Sequence, residues 1–243
     1  RIKTLFLKKA VPLNSLAKHN RDMAEKSKQN IWYLVDTCVC QAHSNTIPLL
    51  QEAMRQRSMP ERTITELHAR YTFLESLLEQ GNIAITPQVG EELERTSRIL
   101  QQEQTTNKKI LDVLERGERL HQSLDACQYN WQQEKEEKRR MMGKYIFHFT
   151  RAHASPAHNK KLGDFLQTDR HNLTASVTLA LQGESTLLTH DRALKEVARK
   201  IIPEIIKNMG AEEHFRYPIH MYTPQVDETA LQPHRKETIY RPQ

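Results

Sequence analysis

Residues 31–37 read Ile-Trp-Tyr-Leu-Val-Asp-Thr. Five large residues that favour extended backbone stop abruptly at a carboxylate. A short continuous apolar run of this kind predicts a strand buried on both faces, as in a parallel sheet. Asp36 then falls at the strand's C-terminal tip, the edge of an open α/β sheet where ligands are handled. One acid at a strand tip has an ordinary structural use, so the question is which other acids the chain brings to that edge.

Working outward, Pro60 opens a helix over 61–80, with Ile64, Leu67, Tyr71, Leu74 and Leu78 at three- and four-residue steps and Gly81 placed to close it. Ile83–Thr86 predicts a second short strand, and Pro87 suits the first turn of a following helix that contains Glu92, with Thr86 as its N-cap. From there to about Met142 helix formers run almost unbroken. Ile110, Val113, Gly117, Leu120, Leu124, Cys127 and Trp131 form a heptad-like seam, which predicts a helical insertion over about 95–150. Residues 150–163 read as a loop, and an apolar helix begins near Leu173. Residues 185–189 predict a strand, followed by His190 and Asp191 and then a basic amphipathic helix over 193–207, interrupted at Pro203. Arg216–Thr223 reads as a final edge strand. The expected organisation is a basic arm over 1–30, one α/β domain over 31–223 and an extended or disordered tail over 224–243.

The chain has 243 residues, a net charge of +6, seven glycines and three cysteines. A basic excess favours a polyanionic partner without specifying one. The cysteines, two of them spaced Cys38-x-Cys40, suit neither a disulfide framework nor a zinc knuckle, and free thiols fit an intracellular setting. No apolar run is long enough to cross a bilayer. No glycine-rich phosphate loop and no Ser or Cys nucleophile with a positioned His can be made out. His153, His158 and His171 lack metal-ligand spacing and read as loop histidines or phosphate contacts.

Four carboxylates remain at strand ends and helix starts: Asp36, Glu92, Asp169 and Asp191. In a parallel sheet these positions share one edge. Carboxylates crowded together repel unless a cation neutralises them, and hard oxygen donors select Mg²⁺ or Mn²⁺.

The order Val-Asp-Thr (35–37), Ile-Thr-Pro-Gln-Val-Gly-Glu-Glu-Leu (85–93), Asn-Leu-Thr-Ala-Ser-Val-Thr-Leu-Ala (172–180) and Leu-Leu-Thr-His-Asp (187–191) resembles the PIN-domain nuclease family. The resemblance implies a three-layer α/β sandwich with a mainly parallel sheet, here carrying the long helical insertion. It also implies metal-dependent hydrolysis of RNA by an activated water. Asp36, Glu92 (with Glu91 the alternative) and Asp191 match the family's first, second and last metal-binding acids, and Thr189 matches the hydroxyl residue before the last. The family's third acid falls on Asn172, which is neutral, so either Asp169 one helical turn earlier completes the metal set or Asn172 serves as a weaker ligand. Thr37, Thr189, His190, Arg192 and Lys195 are the candidate substrate contacts. Two other readings stand beside the endoribonuclease. One is a weak or inactive module that binds RNA or a protein partner, or self-associates through the insertion. The other is a structure-specific DNA nuclease.

Overall fold

A computed structural model describes residues 31–40, 60–101, 107–153, 162–210, 212–225, 228 and 230–242. The expected basic arm over 1–30 lies outside them. The strands are β1 (Ile31–Val35), β2 (Ile83–Ala84), β3 (Glu184–Leu188), β4 (Ile219–Tyr222) and β5 (Glu237–Tyr240), in the spatial order β2-β1-β3-β4-β5. The first four are mutually parallel and β5 runs antiparallel to β4. The described helices are α1 (Thr37–Cys40), α2 (Glu61–Gln80), α3 (Pro87–Gln101), α4 (Lys108–Asp125), α5 (Glu137–His153), α6 (Leu162–Leu179) and α7 (Arg192–Asn208).

Strand alternation sorts side chains onto two faces. Leu34, Leu187, Ile219 and Met221 join a core with Ile146 of α5, Leu173 and Val177 of α6, and Val197, Ile201 and Ile205 of α7. Their neighbours Tyr33, Val35, Leu188 and Tyr222 join a second core with Leu67 and Leu74 of α2, Leu93 of α3 and Leu120 and Leu124 of α4. Helices therefore cover both faces of a mostly parallel sheet, an arrangement compatible with three layers.

Helix α2 ends at Gly81, whose φ of 81° is left-handed and whose N–H closes onto the Leu78 carbonyl. The long helical stretch after Glu92 is broken rather than continuous: α3 stops at Gln101, α4 at Asp125, and Trp131 sits in a single 3₁₀ turn. Ile110, Val113, Leu120 and Leu124 of the apolar seam are buried in the chain's own core. Gly117 is required there, since a Cβ would meet the Tyr71 hydroxyl at 2.7 Å.

Four further expectations are corrected. Residues 150–153 complete α5 instead of opening a loop. The apolar helix α6 starts at Leu162, eleven residues before Leu173, which places Asp169 inside the helix. Helix α7 runs through Pro203, because the carbonyl that proline leaves unpaired belongs to exposed Arg199. The tail forms β5, and β4 is consequently internal. Short Glu-Thr-Ile-Tyr pairs with β4 and buries Ile239, a long-range contact that a local pattern does not carry. No described helix is long and apolar enough to cross a membrane.

Candidate functional site

The C-terminal edge of the sheet gathers the acids singled out in the sequence. Asp36 directly follows β1 and is 5% exposed. Its Oδ1 accepts from Asn172 Nδ2 at 3.1 Å; its Oδ2 accepts from Thr189 Oγ1 at 2.7 Å and from the Cys38 thiol at 3.0 Å. Burial raises its proton affinity against these hydrogen bonds, and the charge of Glu92 adds to the rise. Thr189, just past β3, orders two acids together, donating to Asp36 while its Oγ1 accepts the Asp191 N–H at 3.0 Å.

Glu92 sits on α3, which begins immediately after β2. Its two carboxylate oxygens accept from Thr37 Oγ1 of α1 and Thr168 Oγ1 of α6, each at 2.5 Å. Asp191 caps α7, accepting from the backbone N–H groups of Ala193 at 2.7 Å and Leu194 at 3.1 Å. That is the ordinary structural role of such a residue, and here it also fixes the carboxylate at the sheet edge.

Asp169 is the electrostatic centre of the group. Burial first, then the charges of Asp36, Asp191 and Glu92, push its carboxyl up to about 8. None of the four acids is paired with a basic side chain among the described residues. Asn172 is fully buried and its amide is committed at both ends, accepting from Thr86 Oγ1 at 2.9 Å while donating to Asp36. The hydroxyl of Thr86, expected to cap α3, is directed to Asn172 instead.

Among the described residues, no group of three or more His, Cys, Asp and Glu side chains stands in a metal-holding arrangement. The oxygens of Asp36 and Glu92 accept from threonine, asparagine and cysteine donors, which satisfy buried carboxylates without a cation.

The candidate substrate contacts divide. Arg192 is exposed at the start of α7. Lys195 is half-buried, its ammonium donates to Thr223 Oγ1, and burial lowers its proton affinity. Thr223 in turn donates to the Thr189 carbonyl at 3.0 Å, so Lys195 braces the strand end. Thr37 and Thr189 point at carboxylates. The His190 ring lies 2.6 Å from Arg70 Nη1, and its backbone N–H donates to Cys38 Sγ at 3.2 Å.

His171 is a core residue. It accepts the indole N–H of Trp131 at 3.1 Å and packs 4.7 Å from Phe147, and burial with nearby Arg170 lowers its pKa to about 4. His158 lies outside the described residues.

Three members went unread in the sequence. Thr168 is unremarkable until α6 is extended back to Leu162. Cys38 reads as a small buried residue yet is a donor to Asp36, and burial followed by that neighbouring charge drives its thiol strongly toward the protonated form. Arg70 is 3% exposed on an otherwise apolar face of α2, with Nε unpartnered, and only its mid-helix position among leucines could have drawn notice.

No family model matches the chain, and neither a curated protein nor a solved structure matches it.

Proposed function

We propose that the chain is a PIN-like, Mg²⁺- or Mn²⁺-dependent endoribonuclease. The observation that carries this reading is Asp169: burial and three like-charged neighbours lift its carboxyl to about 8, and no lysine or arginine among the described residues is paired with any of the acids. A fold tolerates such repulsion at a site that has another use for it. The donor set suits a hard cation in chemistry, being all oxygen with no histidine.

Asp36, Glu92, Asp169 and Asp191 are the residues that would hold the ion. When bound, such an ion activates a water and stabilises the leaving oxyanion of a phosphodiester. The chain's own residues prepare the place. Thr189 holds Asp36 and the Asp191 backbone in fixed relation, Thr37 and Thr168 present Glu92, and the Asp191 cap keeps its carboxylate at the sheet edge. Asp169 rather than Asn172 is taken to complete the set, because a carboxylate brings the cation a charge that the neutral amide does not. RNA is the expected substrate by family resemblance.

A second reading, a module that binds RNA or a protein without cutting, is favoured by one observation. Both oxygens of Asp36 and of Glu92 are satisfied by neutral donors, so the pocket is stable as it stands. The test is to incubate purified protein and Mn²⁺ with single-stranded RNA and, in a parallel lane, flapped DNA. The endoribonuclease reading expects RNA cleavage that Asp36→Asn abolishes while the circular dichroism spectrum is unchanged. Intact RNA across several sequences favours the binding module, and cleavage of the flap alone favours a DNA nuclease.

A further inference from the structure

Helix α5 carries two stripes on its outward side. Arg140, Lys144, His148 and Arg151 recur at steps of four, four and three residues, and exposed Met141 and Tyr145 lie directly beside them, followed by half-buried Phe149, which packs against the core. The inward side is occupied by Met142, Gly143, Ile146 and Thr150, with Gly143 so close to Trp131 that a Cβ would lie 2.7 Å from its ring. The helix cannot turn to hide the outer stripes. Met141 is 56% and Tyr145 42% exposed, and the Tyr145 and Phe149 rings lie 6.0 Å apart with a 31° tilt.

The charge on this face is one-sided. From Lys138 to Arg151 the sequence contains no acid; Glu134 and Glu136 are paired with Arg139 at 2.9 and 3.2 Å, and Glu137 in the first turn of α5 is the one acid at the start of this face. Arg140, Lys144 and Arg151 form no ion pair among the described residues. Behind the helix, the Arg170 guanidinium lies 3.7 Å over the Phe147 ring and donates to the Phe147 carbonyl at 2.9 Å. Arg170 follows Asp169 on α6.

We propose that the outer face of α5 is a docking surface for single-stranded RNA, phosphates lying along the cationic stripe and bases stacking on Tyr145 and its neighbours. The inference rests on the nucleic-acid reading of the carboxylate site and names how that substrate is held. Aromatic platforms beside a cation track suit an unpaired strand, because a duplex hides its base faces. The four-residue step advances about 6 Å along the helix axis, so successive side chains meet successive nucleotides of an extended strand.

The test measures binding of a fluorescein-labelled oligouridylate by anisotropy in EDTA, so that cleavage plays no part. Lys144→Glu with Arg151→Glu is expected to weaken binding about tenfold or more at moderate salt and to lower the slope of log Kd against log salt by about 0.7 for each phosphate no longer neutralised. Tyr145→Ala is expected to cost about fivefold or more with the salt slope unchanged. Lys200→Glu with Lys207→Glu, both exposed on α7, controls for net charge. The proposal is overturned if the α5 variants bind as wild type, if the α7 double variant weakens binding equally, if duplex RNA competes as well as single strand, or if the variants change only self-association in sedimentation. Unchanged melting temperatures exclude unfolding as the cause. If Asp36→Asn binds normally and wild type never cuts, the docking face stands and the nuclease reading alone falls.

Discussion

The two ends of the parallel sheet treat acids in opposite ways. At the N-terminal edge, Glu184 opens β3 and is met by Lys236 at 2.9 Å and His220 at 3.6 Å, one acid with two basic neighbours. At the C-terminal edge, Asp36, Glu92, Asp169 and Asp191 share a neighbourhood with hydroxyls, an amide and a thiol but, among the described residues, no paired cation. The first edge shows what the chain does with a carboxylate that serves only the fold. The second withholds that compensation, and the strain collects on Asp169.

Four substitutions break or sharpen this contrast. Asp191→Asn retains a competent helix cap, so the fold should persist within about 1 kcal/mol while metal-dependent RNA cleavage drops roughly a hundredfold or more. Gel-based cleavage rates alongside urea melts separate the two effects. Asn172→Asp replaces the amide that donates to Asp36 with a like charge. It should destabilise the metal-free protein by about 2 kcal/mol or more at pH 8, with Mn²⁺ restoring much of the loss in a thermal melt.

Asp169→Asn tests the strain directly. The Asp169 carboxyl is held at about 8 when folded against an ordinary aspartate value of 3.8, so the native state binds the proton more tightly than the unfolded one. Stability from this group is therefore complete below pH 4 and declines as pH rises toward 8. The asparagine variant should melt about 5 °C or more above wild type at pH 8 and match it at pH 4. A variant less stable than wild type at pH 8 would show that the four acids are not in conflict. The smallest effect belongs to the compensated edge. Glu184→Gln leaves Lys236 and His220 without their shared partner and should cost about 1 kcal/mol near pH 7, read from urea melts. Its sign is the reverse of Asp169→Asn.

What the sequence disclosed follows from how local each signal was. Ile31–Val35 ending at Asp36, and the run into Thr189 and Asp191, are strand tips written in consecutive residues, and the structure places both at the same edge. Glu92 followed from a Pro-initiated helix next to a short strand. Asp169 was harder, because the first turns of α6 offer only Leu162, Phe165 and Leu166 among polar residues and follow directly on the polar run 153–161. Strand β5 depends on pairing with β4 about twenty residues earlier, and α7 passes through Pro203 because one carbonyl faces water. These are decided by tertiary surroundings, which a window of neighbouring residues does not contain. The heptad-like seam was visible, and its spacing fits a partner helix; the partners are α2 and the sheet of the same chain.

Strand β5 also has a consequence for handling the protein. It lies antiparallel along β4 through residues 237–240, and so occupies the row of main-chain donors and acceptors that β4 would otherwise offer to solvent. A version cut back to the end of β4, a natural choice for crystallisation or tagging, would keep every carboxylate of the candidate site. It would also bare a largely apolar strand able to pair with the same strand of a second molecule. Fibrils or inclusion bodies from such a truncation would report on the lost guard strand and say nothing about the site.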